Sequence, residues 1–103
     1  TPVYMAPEQL RGREIDQRVD IFAFGVTMYE TLTGQKPFNG DTSREVLLAQ
    51  KNRDSHFAAP RDLNPSIPAA VERIILQCIE FDADKRYPHI SYLVAGLRKA
   101  LYV

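Results

Sequence analysis

The sequence predicts an all-α fold, on three observations. The stretch Asp20–Gly34 is apolar in nearly every direction of a helical wheel, two later segments carry the spacing of one-sided helices, and no alternating strand pattern of useful length occurs. The first of these organises the rest. Ile21, Phe22, Phe24, Val26, Met28, Tyr29 and Leu32, with Ala23 and Gly25 between them, predict a rod buried nearly all round, against which the remaining helices pack. Asp20 is placed to cap its first turn, and Thr33-Gly34 supplies a left-handed stop.

Taking the elements in order, the opening T-P-V-Y-M-A-P-E-Q-L begins in mid-loop and reads as a cut end. Pro7 starts a single helical turn to about Leu10, with Glu8 near the positive end of its dipole. Arg11 to Arg18 alternates in charge and reads as a solvated connector. After the central helix, Gln35 to Asp41 is turn chemistry around one large apolar residue, Phe38, which is expected in the core. Thr42 and Glu45 form a capping box for a short one-sided helix from Ser43 to about Asn52, with Val46, Leu47 and Leu48 as its apolar members. Arg53 to Ile67 contains Pro60 and Pro65 and little periodicity, so it is expected to be an irregular surface connection. Pro68 then opens a helix in which Val71, Ile74, Ile75, Cys78 and Ile79 fall on one face. Phe81 to Pro88 breaks it, and a last helix runs from His89 to about Leu101 through Ile90, Leu93, Val94, Leu97 and Leu101.

Composition excludes several function classes. A chain of 103 residues holds one core, and 45% apolar with 25% charged residues is ordinary for a globular protein. Thirteen basic residues balance thirteen acidic ones, so no electrostatic footprint for nucleic acid is present. No run approaches a membrane span and no leader precedes a cleavage site, so a cytoplasmic setting with no membrane contact from this segment is expected. The single Cys78 lies in an apolar stripe and reads as an inert thiol. His56 and His89, in a loop and at a helix start, each read as a solvated or capping histidine, and Asp82 and Asp84 as carboxylates solvated or paired with nearby cations. Nothing in the chain is equipped for catalysis or metal binding by itself.

The order of the motifs carries more. T-P-V-Y-M-A-P-E at Thr1–Glu8, D-I-F-A-F-G at Asp20–Gly25, L-T-G-Q-K-P-F at Leu32–Phe38 and D-A-D-K-R at Asp82–Arg86 together resemble the C-terminal part of a eukaryotic-type protein kinase domain. The run from Pro60 to Leu76 is most similar to bacterial members. The resemblance covers residues 1–103 as a partial domain, from the end of the activation segment to the last helix of the large lobe. It implies the helical base of that lobe, and it places the Gly-rich loop, the ATP-pairing lysine, the catalytic loop and the metal-binding aspartate upstream of Thr1.

The resemblance also implies roles. Thr1 is similar to the threonine that helps position the acceptor hydroxyl, and Pro2, Val3 and Met5 to the pocket that receives the residue after the phosphoacceptor. Glu8 and Arg86 resemble an ion pair tying the activation segment to the loop before the last helix, and Asp20 an anchor for the catalytic loop. ATP and Mg2+ are implied for the parent enzyme, with none bound by this chain alone; the implied partners are a protein substrate and the upstream part of the kinase domain. The T-P-x-Y pattern favours Ser/Thr as acceptor. Phe22 stands where Trp is common, Ala83 where Pro is usual, and His89 where Ser or Thr often caps, so the last helix is expected to start less firmly. A pseudokinase-like module and a stand-alone helical interaction domain are the rival readings.

Overall fold

The computed structural model describes residues 2–102 and, for His56, the backbone only. Among the described residues every regular element is helical: α1 (Pro7–Leu10), α2 (Arg18–Thr33), α3 (Ser43–Lys51), α4 (Arg53–His56), α5 (Pro60–Leu63), α6 (Ala69–Cys78) and α7 (Ile90–Tyr102), with 3-10 turns at Pro2–Tyr4 and Ala83–Lys85.

The central rod is α2, and the fold is layered on one side of it. Val19, Ile21, Phe22, Gly25, Val26 and Tyr29 are buried. The expectation of burial nearly all round is corrected: Asp20, Phe24, Thr27 and Thr31 stand exposed along one stripe, Phe24 at 37%. Positions 20, 24, 27 and 31 recur at helical spacing, so three polar residues mark an outer face that the apolar count conceals. The start is also corrected. α2 begins at Arg18, and Asp16 rather than Asp20 does the capping, its Oδ1 accepting the Arg18 N–H at 2.9 Å.

The C-terminal end of α2 is closed group by group. Gly34 adopts the left-handed φ of 77° and donates its N–H to the Glu30 carbonyl at 2.8 Å. Thr33 Oγ1 donates to the Tyr29 carbonyl at 2.7 Å, and Asn64 Nδ2 donates to the Leu32 carbonyl at 2.8 Å. Two of the four orphan carbonyls at this helix end, those of Glu30 and Leu32, are thereby matched by donors.

α6 packs across α2 through the face that its spacing predicts: Val71, Ile74, Ile75, Cys78 and Ile79 are all buried. Full burial of such side chains is worth about 1.5–3 kcal/mol each. The two helices come closest at Gly25, where an added Cβ would lie 2.5 Å from Cys78 Cβ and 2.7 Å from Ile79 Cγ2. Only glycine leaves room there. Pro68 sits one position outside the helix, extended at ψ 143°, and its carbonyl accepts from Val71 and Glu72 at 3.0 and 3.1 Å. Burial pushes the Cys78 thiol up to about 12, which leaves it un-ionised and inert.

Phe38 enters the core as predicted and stacks between Phe22 (6.1 Å) and Phe57 (5.9 Å), with Tyr29 at 5.6 Å from Phe57. The Thr42 hydroxyl accepts the Glu45 N–H at 3.2 Å, while Glu45 Oε2 accepts from Asp41 N, not Thr42 N, at 2.8 Å. The capping box is therefore shifted outward by one residue. The stretch read as irregular contains two single turns, α4 and α5. Arg53 of α4 reaches the end of α6, donating from Nη1 to the Leu76 and Ile79 carbonyls at 3.1 and 3.3 Å. One-turn helices carry no period, so nothing in the pattern announces them.

α7 keeps Leu93 buried and Leu97 and Ala100 against the core, but Ile90, Val94 and Leu101 are exposed. His89 Nδ1 accepts the Ser91 N–H at 3.1 Å, so the imidazole caps this helix where a hydroxyl was the alternative.

Candidate functional site

The segment from Pro2 to Glu8 is fastened to three other parts of the fold. Pro2–Tyr4 forms a 3-10 turn, closed by Met5 N–H on the Pro2 carbonyl at 3.1 Å, and α1 follows at once. Ala6 and Pro7 are buried, and Val3 and Tyr4 lie against the core. Thr1 lies outside the described residues.

The first tie runs to α2. Tyr4 donates its hydroxyl to Glu30 Oε1 at 2.5 Å, and this bond, with burial and the Glu30 charge, pushes the phenol above its ordinary value. Glu30 in turn meets Lys36 Nζ at 3.6 Å. The second tie runs to α3, where Gln50 Nε2 donates to the Met5 carbonyl at 2.8 Å.

The third is the contact of Glu8 with Arg86. Arg86 Nη1 lies 2.8 Å from Glu8 Oε2 and Nη2 lies 2.9 Å from Glu8 Oε1, a two-handed contact between residues 78 apart in sequence. Arg86 is fully buried at 0% and Glu8 is 12% exposed. Three carbonyls take the other N–H groups: Glu80 at 2.8 Å from Nε, Phe81 at 3.2 Å from Nη2 and Arg18 at 3.4 Å from Nη1. A guanidinium has five N–H donors, and all five are used. Its face lies 4.9 Å from the centre of the Phe22 ring, a cation–π contact. Burial alone would push the Glu8 carboxyl up. The Arg86 hydrogen bond, a backbone N–H and the charges of Arg86 and Arg18 outweigh it and hold the carboxyl below its ordinary value.

Beside this knot, Arg18 forms a second, exposed one. Its Nη2 lies 3.0 Å from Asp16 Oδ2 and its Nη1 lies 2.7 Å from Asp84 Oδ1. Asp82 Oδ1 accepts the Asp84 N–H at 2.9 Å, which closes the 3-10 turn before Arg86. Both carboxylates of that loop are thus engaged locally, and among the described residues no three His, Cys, Asp or Glu stand together as a metal site. Taken up in this way, Asp82 and Asp84 do not fit a magnesium ion. Asp20 is exposed and accepts no side-chain hydrogen bond among the described residues.

The sequence reading missed Tyr4, Glu30, Gln50 and Arg53. Gln50 alone left a signal, one turn after Val46 on an otherwise apolar face. No helix among the described residues is long and apolar enough to cross a membrane.

Comparison with known proteins gives this arrangement its context. A protein named tyrosine-protein kinase MasK, from Myxococcus xanthus strain DK1622, is 44% identical over 86 residues, covering 84% of this chain and 13% of that protein. The serine/threonine-protein kinase Pkn1 of Myxococcus xanthus is 40% identical over 101 residues, 98% of this chain and 14% of its own. The serine/threonine-protein kinase PrkC of Bacillus subtilis is 35% identical over 97 residues, 94% of this chain and 15% of its own. The chain therefore spans about one seventh of the length of these relatives. A model of the protein kinase domain matches residues 1–95, from the loop that carries Pro2, Val3 and Met5 through Arg86 and into α7. An all-helical fold, a loop tied down at Glu8 and a match of that extent agree on one point: the chain belongs to the protein kinase domain family.

Proposed function

We propose that this chain is the substrate-side base of a Ser/Thr protein kinase, an enzyme that moves the γ-phosphoryl of MgATP to a protein hydroxyl. Pro2, Val3 and Met5 receive the residue that follows the phosphoacceptor, Thr1 helps position the acceptor hydroxyl, and Asp20 anchors the catalytic loop of the upstream half. The observation that carries this is the two-handed Arg86–Glu8 contact, which fixes the root of the Pro2–Met5 loop against the interior. A loop that must present a peptide in register gains from such a fixed root. The Asp20 carboxylate, exposed and without a hydrogen-bond partner among the described residues, is available for a segment from outside them. The apolar positions left bare on α2 and α7, Phe24, Ile90, Val94 and Leu101, suit cover by that same upstream half. Dependence on MgATP, supplied by the parent, favours a cytoplasmic setting.

The test is steady-state kinetics on the full-length kinase with peptides that differ only at the position after the acceptor. Val3→Ala and Met5→Gly should reorder the preference among those peptides and leave the KM for ATP unchanged; equal effects on every peptide would remove the assignment. Phosphoamino-acid analysis decides the acceptor, since one relative is named a tyrosine kinase and others serine/threonine kinases. The 103-residue chain alone should show no saturable MgATP binding in calorimetric titration. A pseudokinase reading keeps the same loop and ties, and loses ground if the full-length protein transfers phosphate.

A further inference from the structure

We propose that Gln50 and Gln9 act as a clamp on one peptide unit, the Met5–Ala6 bond, and through it set the seat for the substrate residue that follows the phosphoacceptor. The inference rests on the assignment of Pro2, Val3 and Met5 to that seat.

Both polar groups of this one unit are held by glutamine side chains from different helices. Gln50 Nε2, on α3, donates to the Met5 carbonyl at 2.8 Å, and the Ala6 N–H donates to Gln9 Oε1, on α1, at 2.8 Å. The carbonyl and the N–H lie on opposite edges of a rigid plane, so two holds fix its orientation as one hold cannot. Fixing it fixes the backbone torsion that aims Met5, and with it the relation of Met5 to the 3-10 turn that carries Val3.

The chemistry of Gln50 argues that the hold is its purpose. Its side chain is 2% exposed, and it lies one turn beyond the fully buried Val46. Its Oε1 has no hydrogen-bond partner among the described residues. Burying an amide with one end unmet is unfavourable, and an apolar side chain of the same length would fill the site without that defect. The one hydrogen bond that the Gln50 side chain makes among the described residues is to the loop.

The two glutamines face the plane with opposite polarity, which gives the test its contrast. Gln50 must donate, whereas Gln9 must accept. In the full-length kinase, Gln9→Glu keeps an acceptor for the Ala6 N–H and should leave peptide kinetics within about twofold of the parent. Gln50→Met removes the donor and should raise the peptide KM about tenfold, compress the preference among peptides varied after the acceptor, and leave the KM for ATP unchanged. Gln9→Met should move in the same direction as Gln50→Met. The melting temperature of Gln50→Met should stay close to that of the parent, because losing the unmet Gln50 Oε1 offsets the Met5 carbonyl left without its donor.

The proposal is overturned if peptide and ATP constants change together while the melting temperature falls, which is the mark of a structural role alone. It is also overturned if Gln9→Glu behaves like Gln9→Met. Val3→Ala separates the layers. If it reorders the peptides and Gln50→Met does not, the clamp fails and the seat stands; if Val3→Ala is silent as well, the seat itself fails and the clamp with it.

Discussion

Two arginines stand side by side at the junction of α2 with the loop before α7, and they differ in almost everything but their charge. Arg86 is 0% exposed, faces one carboxylate with two parallel bonds, and spends its other three N–H groups on carbonyls. Arg18 is 26% exposed and shares itself between Asp16, 53% exposed, and Asp84, 84% exposed. The two are linked, since Arg86 Nη1 also reaches the Arg18 carbonyl at 3.4 Å. What separates them is water. Where water can replace a partner, losing the partner is cheap; where it cannot, the charge left behind is stranded.

The largest expected effect follows from this. Arg86→Ala in the full-length protein should cost about 3–5 kcal/mol in chemical denaturation, because it leaves the Glu8 carboxylate largely buried and frees the carbonyls of Glu80 and Phe81. The segment carrying Tyr4 and Met5 should loosen with it, seen as faster amide exchange. A cost under about 1 kcal/mol would mean that water enters the site freely and that the contrast with Arg18 is only apparent.

Arg86→Lys comes next. Lysine keeps the charge but has three donors at one point, so it cannot serve both oxygens of Glu8 and the carbonyls that the planar fork reaches, and it leaves the face of Phe22. A loss of about 1–3 kcal/mol is expected, the scale of buried groups left unmet. Arg18→Lys, at an exposed pair, should be close to neutral. Equal losses at the two positions would refute the distinction drawn between them.

Acid should separate the two sites as well. Glu8 and Asp16 are both held below their ordinary values, Glu8 in spite of its burial and Asp16 chiefly by the Arg18 hydrogen bond. A depressed carboxyl contributes stability that is fully present above its unfolded value, about 4.3 for Glu, and is lost as pH falls through its folded value. Stability should therefore decline from about pH 5 downward, and Glu8→Gln should flatten that decline more than Asp16→Asn does. Denaturation midpoints taken across this range measure it. An unchanged slope in Glu8→Gln would assign the acid limb to other carboxylates.

The two sites also show what a sequence discloses. The helices were legible wherever a period ran long enough to be seen: α6 shows its buried face from Val71 to Ile79, and α2 ends at Gly34. The single turns α4 and α5 were not, because four residues hold no period. The outer stripe of α2 was legible in principle, since Asp20, Thr27 and Thr31 fall on one line, yet Phe24 within it hides the line from a count of apolar residues. Ties between distant elements leave little local trace, the polar Gln50 on an apolar face being the exception among those missed. Tyr4 with Glu30, Gln50 with Met5 and Arg53 with the end of α6 join residues 26, 45 and 23 or more positions apart, and each depends on how helices come together. Arg53 even completes a stack that no spacing forecasts. It lies 5.7 Å over Phe57, as Arg86 lies over Phe22, so three aromatic rings run between two guanidinium groups.

The smallest expected effect is the sharpest check on the comparison. Asp84→Asn removes the charge that Arg18 Nη1 meets at 2.7 Å, a distance as short as any in the buried knot. If distance governed strength, the loss would rival that of Glu8→Gln. Asp84 is 84% exposed, however, and Arg18 retains Asp16, whose carboxylate meets both Nε and Nη2. The solvent and the second carboxylate together replace what is lost, so Asp84→Asn should cost about 0–0.5 kcal/mol and nothing measurable in high salt. A double-mutant cycle on Arg18 and Asp84 should give a coupling near zero, whereas the cycle on Arg86 and Glu8 should give a large one that salt leaves in place. A coupling of similar size in both cycles would show that the short contact, and not the exclusion of water, sets the worth of an ion pair in this fold.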